Sequence, residues 1–325
     1  MSSNPPSLQK NTTPQPGSIT SQKVIAARLS VYSNTLLVLL KLIAGALSGS
    51  VGVLSEAAHS ATDLIASWIA LFAVRAADIP PDEDHPYGHG KIESLSGMAE
   101  ALLIFLAGIY IVYEAVTKLA HKGRPHSTGL GIIVMGISVV VNILVARHLF
   151  NVARKTDSLA LSSDAEHLRA DVFTSVGVII GLVLVRFTGL WWIDPVVALA
   201  VALMILHASW RLTRGALNPL LDTQLPPDEL ETVRGVLEAD PVVLAYHKLR
   251  ARKSGSFRLV DAHVLMDDNL TLLQAHDLTE ALEDRIREKL PNTEVTLHTE
   301  PYHAESHHQY EHHGGPPPGK FKEED

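Results

Sequence analysis

The stretch SEAAHSATDL, residues 55–64, places a histidine and an aspartate four residues apart inside a long apolar run. Ionisable side chains are expensive in hydrocarbon, and where they occur they face the interior of a helix bundle and mark ion pathways. Residues 163–172, SDAEHLRADV, repeat the phrase His-x-x-x-Asp at another apolar run. Positions four apart share one face of a helix. His59 and Asp63 therefore project together from one helix, and His167 and Asp171 from another. Where two such helices meet, two imidazoles and two carboxylates make a tetrahedral N2O2 shell of the kind that holds zinc. The two carboxylates neutralise a divalent ion, so the filled site costs far less in low dielectric than either charge alone. One motif by itself reads equally well as an interhelical polar contact or a membrane boundary. Its repetition favours a metal site.

The 325 residues are 46% hydrophobic and 19% charged, with the apolar residues concentrated before about residue 212. That part holds six windows, 25–47, 51–76, 94–117, 129–150, 171–189 and 192–212, each near the roughly 20 residues that cross a hydrocarbon core. Helices and closed barrels are the only structures that satisfy their backbone in lipid, and the alternation of barrel strands is absent. The expectation is a membrane protein with a bundle of six transmembrane helices. Residues 1–22 are polar and Pro-rich, lack the apolar core of a signal peptide, and read as a disordered tail. Cysteine is absent, which excludes disulfides and thiolate metal sites, and a formal net charge of −8 argues against a nucleic-acid partner. Lys10, Lys23 and Arg28, Arg75 and Lys91, Arg147, Arg154 and Lys155, and Arg211 and Arg214 fall on one side if both termini are cytoplasmic. Lys118, Lys122 and Arg124 fall on the other.

Beyond Asn218-Pro219 the chain turns soluble. Residues 226–239 open with prolines and acidic residues and carry Leu230, Val233 and Leu237 at helical spacing. Two strand-like runs flank a Lys-Ser-Gly turn, residues 270–290 form an amphipathic helix, and residues 293–300 alternate as a last strand. The order αββαβ predicts a ferredoxin-like, metallochaperone-like domain with its helices on one face of an antiparallel sheet. The expected division is a tail at 1–22, a transmembrane domain at 23–214, a C-terminal domain at 215–303 and a His-rich tail at 304–325. His303, His307, His308, His312 and His313 could gather zinc weakly, or simply belong to a solvated low-complexity segment.

The loop PPDEDHPYGHGKIESLSG, residues 80–97, packs Asp82, His85 and His89 into eight residues, with Gly88 and Gly90 permitting a tight turn. With the two His-x-x-x-Asp motifs and this His-Pro-Tyr-Gly-His-Gly-Lys phrase, residues 23–303 resemble the cation diffusion facilitator family, in particular its bacterial zinc/proton antiporters. The resemblance implies that His59, Asp63, His167 and Asp171 form the transport site and that Asp82, His85 and His89 form a second site in the loop. It implies that Lys91 and Asp222 are the charge pair that locks a homodimer. It further implies a binuclear zinc cluster in the C-terminal domain, from His247, His263, His298 and Glu300, with His276 shared or bridging. His298 and Glu300 are two apart on a strand, hence on one face. Ordinary surface histidines are the plain alternative for this group. The chain departs from well-known bacterial members at His59, where they carry Asp, and at Glu300, where Asp is more usual. Imidazole in place of a carboxylate favours zinc, with cadmium and cobalt as further candidates, over manganese or ferrous iron.

The function so implied is a cell-membrane transporter, not an enzyme, that exports zinc in exchange for protons. Its cytoplasmic domain would bind zinc and regulate the dimer. Two other classes fit the residues less well. An intramembrane zinc hydrolase needs an open coordination position and usually His-Glu-x-x-His, and that motif is absent. A membrane-tethered metal sensor leaves the intramembrane quartet unexplained.

Overall fold

Six long helices come first in the computed structural model, which describes residues 19–48, 51–121, 129–190 and 192–304. They are α1 (Ile19–Ser48), α2 (Val51–Ala77), α3 (Lys91–His121), α4 (Gly129–Thr156), α5 (Leu159–Thr188) and α6 (Ile193–Leu220). All six are long and apolar enough to cross a membrane. Many of their large side chains point outward, among them Leu36, Trp68, Phe72, Leu102, Tyr113 and Trp210, as lipid-facing residues must. The inner faces are built from small residues. Ala26 and Ala27 of α1, Ala73 of α2, Ala146 and Ala153 of α4, and Ala160 and Ala165 of α5 are all buried in one cluster with Leu149, Leu161 and Leu168. Small residues let helix backbones approach closely, which is the main source of cohesion between helices in lipid. Gly97 serves the same end between α3 and α5, because a Cβ there would stand 2.9 Å from Ser163 Oγ.

Two expectations are corrected here. The fifth helix begins at Leu159, twelve residues before the apolar window that suggested it. Its first turns are polar, yet Ser163 and Asp164 are fully buried, so they face the bundle rather than water. Ser158 caps this helix, its hydroxyl accepting from the Leu161 N–H. At the chain's start, α1 opens at Ile19, inside the stretch read as a tail, and Lys23, expected to precede the first helix, lies within it and is fully buried. Its ammonium donates to Asp78 Oδ1 at 3.2 Å and to Glu93 Oε1 at 3.0 Å.

A second compact unit starts at Leu217. It contains α7 (Pro227–Ala239), β1 (Ala245–Ser254), β2 (Phe257–Met266), α8 (Leu272–Lys289) and β3 (Thr293–Pro301). The three strands lie in the order β1-β2-β3, with β1 antiparallel to β2 but β3 parallel to it. The sheet is therefore mixed, not antiparallel as expected. The cause is α8: a parallel neighbour requires a crossover connection, and the 18-residue helix provides it. Thr271 and Gln274 form a capping box that starts α8. Leu230, Val233 and Leu237 of α7 and Leu282 and Ile286 of α8 pack on Val260, Val264 and Val295 of the sheet.

Arg258 of β2 grips Glu229 of α7 through two hydrogen bonds of 2.8 and 2.7 Å. Burial works against the Glu229 charge, but the bonds from Arg258 and the nearby Lys253 outweigh it and hold the carboxyl below its usual value. The stability this pair supplies is complete above the ordinary glutamate range and drains away as pH falls through the depressed folded value. Glu229→Gln is expected to cost about 1 kcal/mol at neutral pH, allowing for solvent screening, and nothing in strong acid. Hydrogen exchange of α7 and β2 amides in both proteins measures it.

Candidate metal-binding sites

Helices α2 and α5 bring the repeated motif together. Asp63 and His167 are buried, and His167 Nε2 lies 3.3 Å from Asp63 Oδ1. Across the same space His59 Nε2 lies 3.8 Å from Asp171 Oδ1. One ligand atom each from His59, Asp63 and Asp171 fall within 4.8 Å of one another. Ligand atoms about 2 Å from a tetrahedral zinc stand roughly 3.3 Å apart; His167 meets Asp63 but falls outside that group of three, so a four-ligand shell requires His167 to be drawn in toward the others. His59 is the open corner, its side chain 45% exposed against 9% for His167. Asp171 Oδ2 and His167 Nδ1 are buried without hydrogen-bond partners among the described residues. Polar atoms left so in a low-dielectric interior are costly, and a bound cation relieves the carboxylate.

Around this centre lies a polar seam outside the two His-x-x-x-Asp motifs. Ser67 Oγ of α2 stands 3.3 Å from Asp164 Oδ1 of α5 and 3.0 Å from Ser30 Oγ of α1, and accepts from Asn34 Nδ2 at 2.6 Å. Lys41 of α1 donates to Ser60 Oγ of α2 at 2.7 Å. Glu100 of α3 is fully buried, with Ser96 Oγ 3.4 Å from its Oε1. Asp164 was visible as a signal: it precedes His167 by three and Asp171 by seven, hence shares their face. Nothing in the sequence marks Ser30, Asn34 or Ser67 as more than ordinary helix residues.

The loop between α2 and α3 gathers its own three residues. His85 Nδ1 is 3.1 Å from Asp82 Oδ1, His89 Nε2 is 3.3 Å from Asp82 Oδ2, and the imidazole centroids are 4.3 Å apart. Gly88 takes φ +74° and closes a turn on the His85 carbonyl at 2.9 Å, a conformation that suits glycine. The His85 backbone N–H, donating to Asp82 Oδ1 at 2.6 Å, is the main cause that holds this exposed carboxyl below its usual value. The His85 imidazole adds to it.

In the C-terminal unit three histidines form one row across the sheet, since His247 pairs with His263 and His263 with His298. Glu300, two residues along β3 from His298, reaches back over the row. His247 Nε2 is 2.7 Å from Glu300 Oε2, and His263 Nδ1 is 2.6 Å from Oε1. His298 Nε2 stands 3.6 Å from the same Oε1. Burial pushes the Glu300 carboxyl up, but the bonds to His247 and His263 pull it down further, leaving it below its usual value. His276 is not brought into this group. It sits exposed on α8 with its Nε2 3.5 Å from Glu280 Oε1, because one helical turn lies nearer than the far face of the sheet.

Lys91 opens α3 in the first unit, whereas Asp222 lies in the second and accepts from Arg252 at 2.8 Å. His303 stands 3.5 Å from Asp268. His307, His308, His312 and His313 lie outside the described residues, as do Lys10, Lys122 and Arg124.

Residues 27–221 match the model of the cation efflux transmembrane domain, and residues 225–302 that of the cation efflux protein cytoplasmic domain. The chain is 36% identical to a Synechocystis protein described as an uncharacterised transporter, over 81% of this chain and 85% of that one. It is 33% identical to the cation-efflux pump FieF of Cronobacter sakazakii, over 88% of this chain and 94% of the pump. Among solved structures it is similar to the metal-bound C-terminal domain of the CzcD transporter from Thermotoga maritima. That likeness is 28% identical and covers 23% of this chain and 87% of that one, with a TM-score of 0.22.

Proposed function

Because the chain belongs to the cation efflux family, we propose that it works as a homodimer that exports zinc from the cytoplasm in exchange for protons. The chain is a multi-pass membrane protein and a cation transporter, not an enzyme. The observation that supports the finer reading is the approach of His59, Asp63 and Asp171 between two apolar helices, with His167 against Asp63. Two nitrogens and two carboxylates in that place suit a borderline-soft dication whose charge they cancel. Both termini lie in the cytoplasm on this reading. Lys91 and Asp222 are the charge pair that locks the homodimer on this reading, and residues 215–303 act as a zinc-responsive domain through His247, His263, His298 and Glu300.

Exchange follows from competition. Zinc requires neutral imidazole and ionised carboxylate, so a proton and a zinc ion cannot occupy the same ligand atom. A site that opens alternately to the two sides therefore carries zinc one way and protons the other. The test is zinc flux into proteoliposomes whose proteins expose the cytoplasmic face outward. An acidic lumen is expected to drive zinc in while a trapped dye reports protons leaving. Zinc flux that ignores the gradient, with a dye signal that stays still, removes the antiport reading and leaves an uncoupled carrier.

His59 sets the metal preference on this reading. His59→Asp is expected to raise manganese and iron flux relative to zinc, since an oxygen donor replaces the softer imidazole. An unchanged rank order among zinc, cadmium, manganese and iron would place selectivity in the shape of the pathway instead.

A further inference from the structure

Lys23 is fully buried, and the two carboxylates it holds stand at opposite ends of one loop. Asp78 follows α2 directly, Glu93 lies in the first turn of α3, and the segment between them carries Asp82, His85 and His89. The other oxygen of Glu93 turns to α5. Its Oε2 accepts from Ser158 Oγ at 2.8 Å and from the Ala160 N–H at 3.4 Å. A carboxylate is well placed there, because helix N-termini present unpaired N–H groups and positive dipole ends. His167 and Asp171 lie nine and thirteen residues beyond Ser158 on that helix, about 14 and 20 Å along it. Asp78 in turn adjoins the end of α2, which carries His59 and Asp63. One buried ammonium thus ties both ends of the loop to the ends of the two helices that form the quartet.

We propose that Lys23 and Glu93 couple cation binding in the Asp82–His85–His89 loop to cation affinity at the quartet. This rests on the reading of the quartet as the zinc transport site. A cation drawing Asp82, His85 and His89 together fixes the span of the loop, and hence the separation of Asp78 and Glu93. Lys23 passes that separation to α2, and Glu93 passes it to the first turn of α5. A helix moves as a rigid body over this length, so the distance between the two His-x-x-x-Asp faces follows. Buried ion pairs contribute little net stability, and their best-attested use is to fix one arrangement among several. A network joining four helix ends suits that use.

The experiment is a double-mutant cycle in the full-length protein in lipid nanodiscs, with zinc as the probe. His263→Ala and Glu300→Ala silence the C-terminal cluster throughout, and quartet affinity is read by calorimetry. Silencing the loop with His85→Ala and Asp82→Asn is expected to weaken zinc binding at the quartet by at least about fivefold, the lower end of ordinary allosteric coupling. In a Lys23→Gln background the same loop changes are expected to alter it by less than twofold. An equal loss in both backgrounds overturns the proposal, as does no loss in either. Should Lys23→Gln fail to fold, Glu93→Gln, which keeps the side chain's shape, decides the same cycle. Absence of zinc binding at the quartet with the C-terminal cluster alone silenced would instead sink the transport-site reading, a distinct result.

Discussion

Replacing Asp171 with alanine is expected to lower zinc flux by more than about 100-fold, beyond the 10–100-fold cost of losing an outer partner of a metal ligand. The variant leaves Asp63 as the one carboxylate among the proposed ligands, so a dication held by them would carry a net positive charge in an apolar bundle. Asp171 Oδ1 also holds the open corner of the site, 3.8 Å from His59 Nε2. Losing it leaves Asp63 as the one carboxylate of the group that His59, already 45% exposed, can share an ion with. Asp171→Asn separates charge from shape: the amide fills the same space but cannot offset the ion, and flux is expected to stay near the alanine level. Zinc uptake by the C-terminal cluster in the same preparations shows that the variants are folded. Flux within a few-fold of the parent would take Asp171 out of the transport pathway.

Much of this architecture was legible from residue patterns, and the exceptions share a physical cause. Lipid-facing helices declare themselves by length and apolarity, so all six were found. Hydropathy reports average polarity and is blind to the direction a side chain faces. It therefore missed the first three turns of α5, whose Ser163 and Asp164 point into the bundle. It also placed Lys23 ahead of the first helix, whereas the residue lies within α1 and its ammonium folds inward onto Asp78 and Glu93. The His-x-x-x-Asp pairs were legible because helical periodicity fixes which residues share a face. That the two faces meet depends on packing of Ala73, Ala165 and their neighbours, which no local pattern encodes. In the C-terminal unit strand alternation placed His298 with Glu300 but was silent on strand direction. The 18 residues of α8 between β2 and β3 were the available clue to a parallel pair. Register, which aligns His247, His263 and His298 in one row, emerges only from the assembled sheet.

Glu300 is the residue on which the C-terminal cluster turns, and Glu300→Ala is expected to weaken its zinc affinity on the order of 100-fold or more. Both carboxylate oxygens are engaged, one with His247 and the other with His263, and no other carboxylate joins the row of imidazoles among the described residues. Removing Glu300 leaves neutral donors only, and His247, whose side chain is fully buried, loses its Nε2 partner as well. Because its carboxyl titrates below the usual range, Glu300 stays ionised through neutral pH, so substitution removes a charge that mild acid would not. The parent protein is expected to gain about 2.7 kcal/mol of stability when free zinc exceeds the dissociation constant 100-fold, through preferential binding to the folded form. In Glu300→Ala the same zinc concentration should protect the β1–β3 amides scarcely more than buffer does. Glu300→Gln distinguishes the charge from the scaffold: it retains hydrogen bonding across the row but offers a poor metal ligand, so protection without zinc should survive while the zinc increment is lost. Full zinc protection in both variants would show that the histidine row binds the metal unaided, and Glu300 would then be a structural brace between β1, β2 and β3.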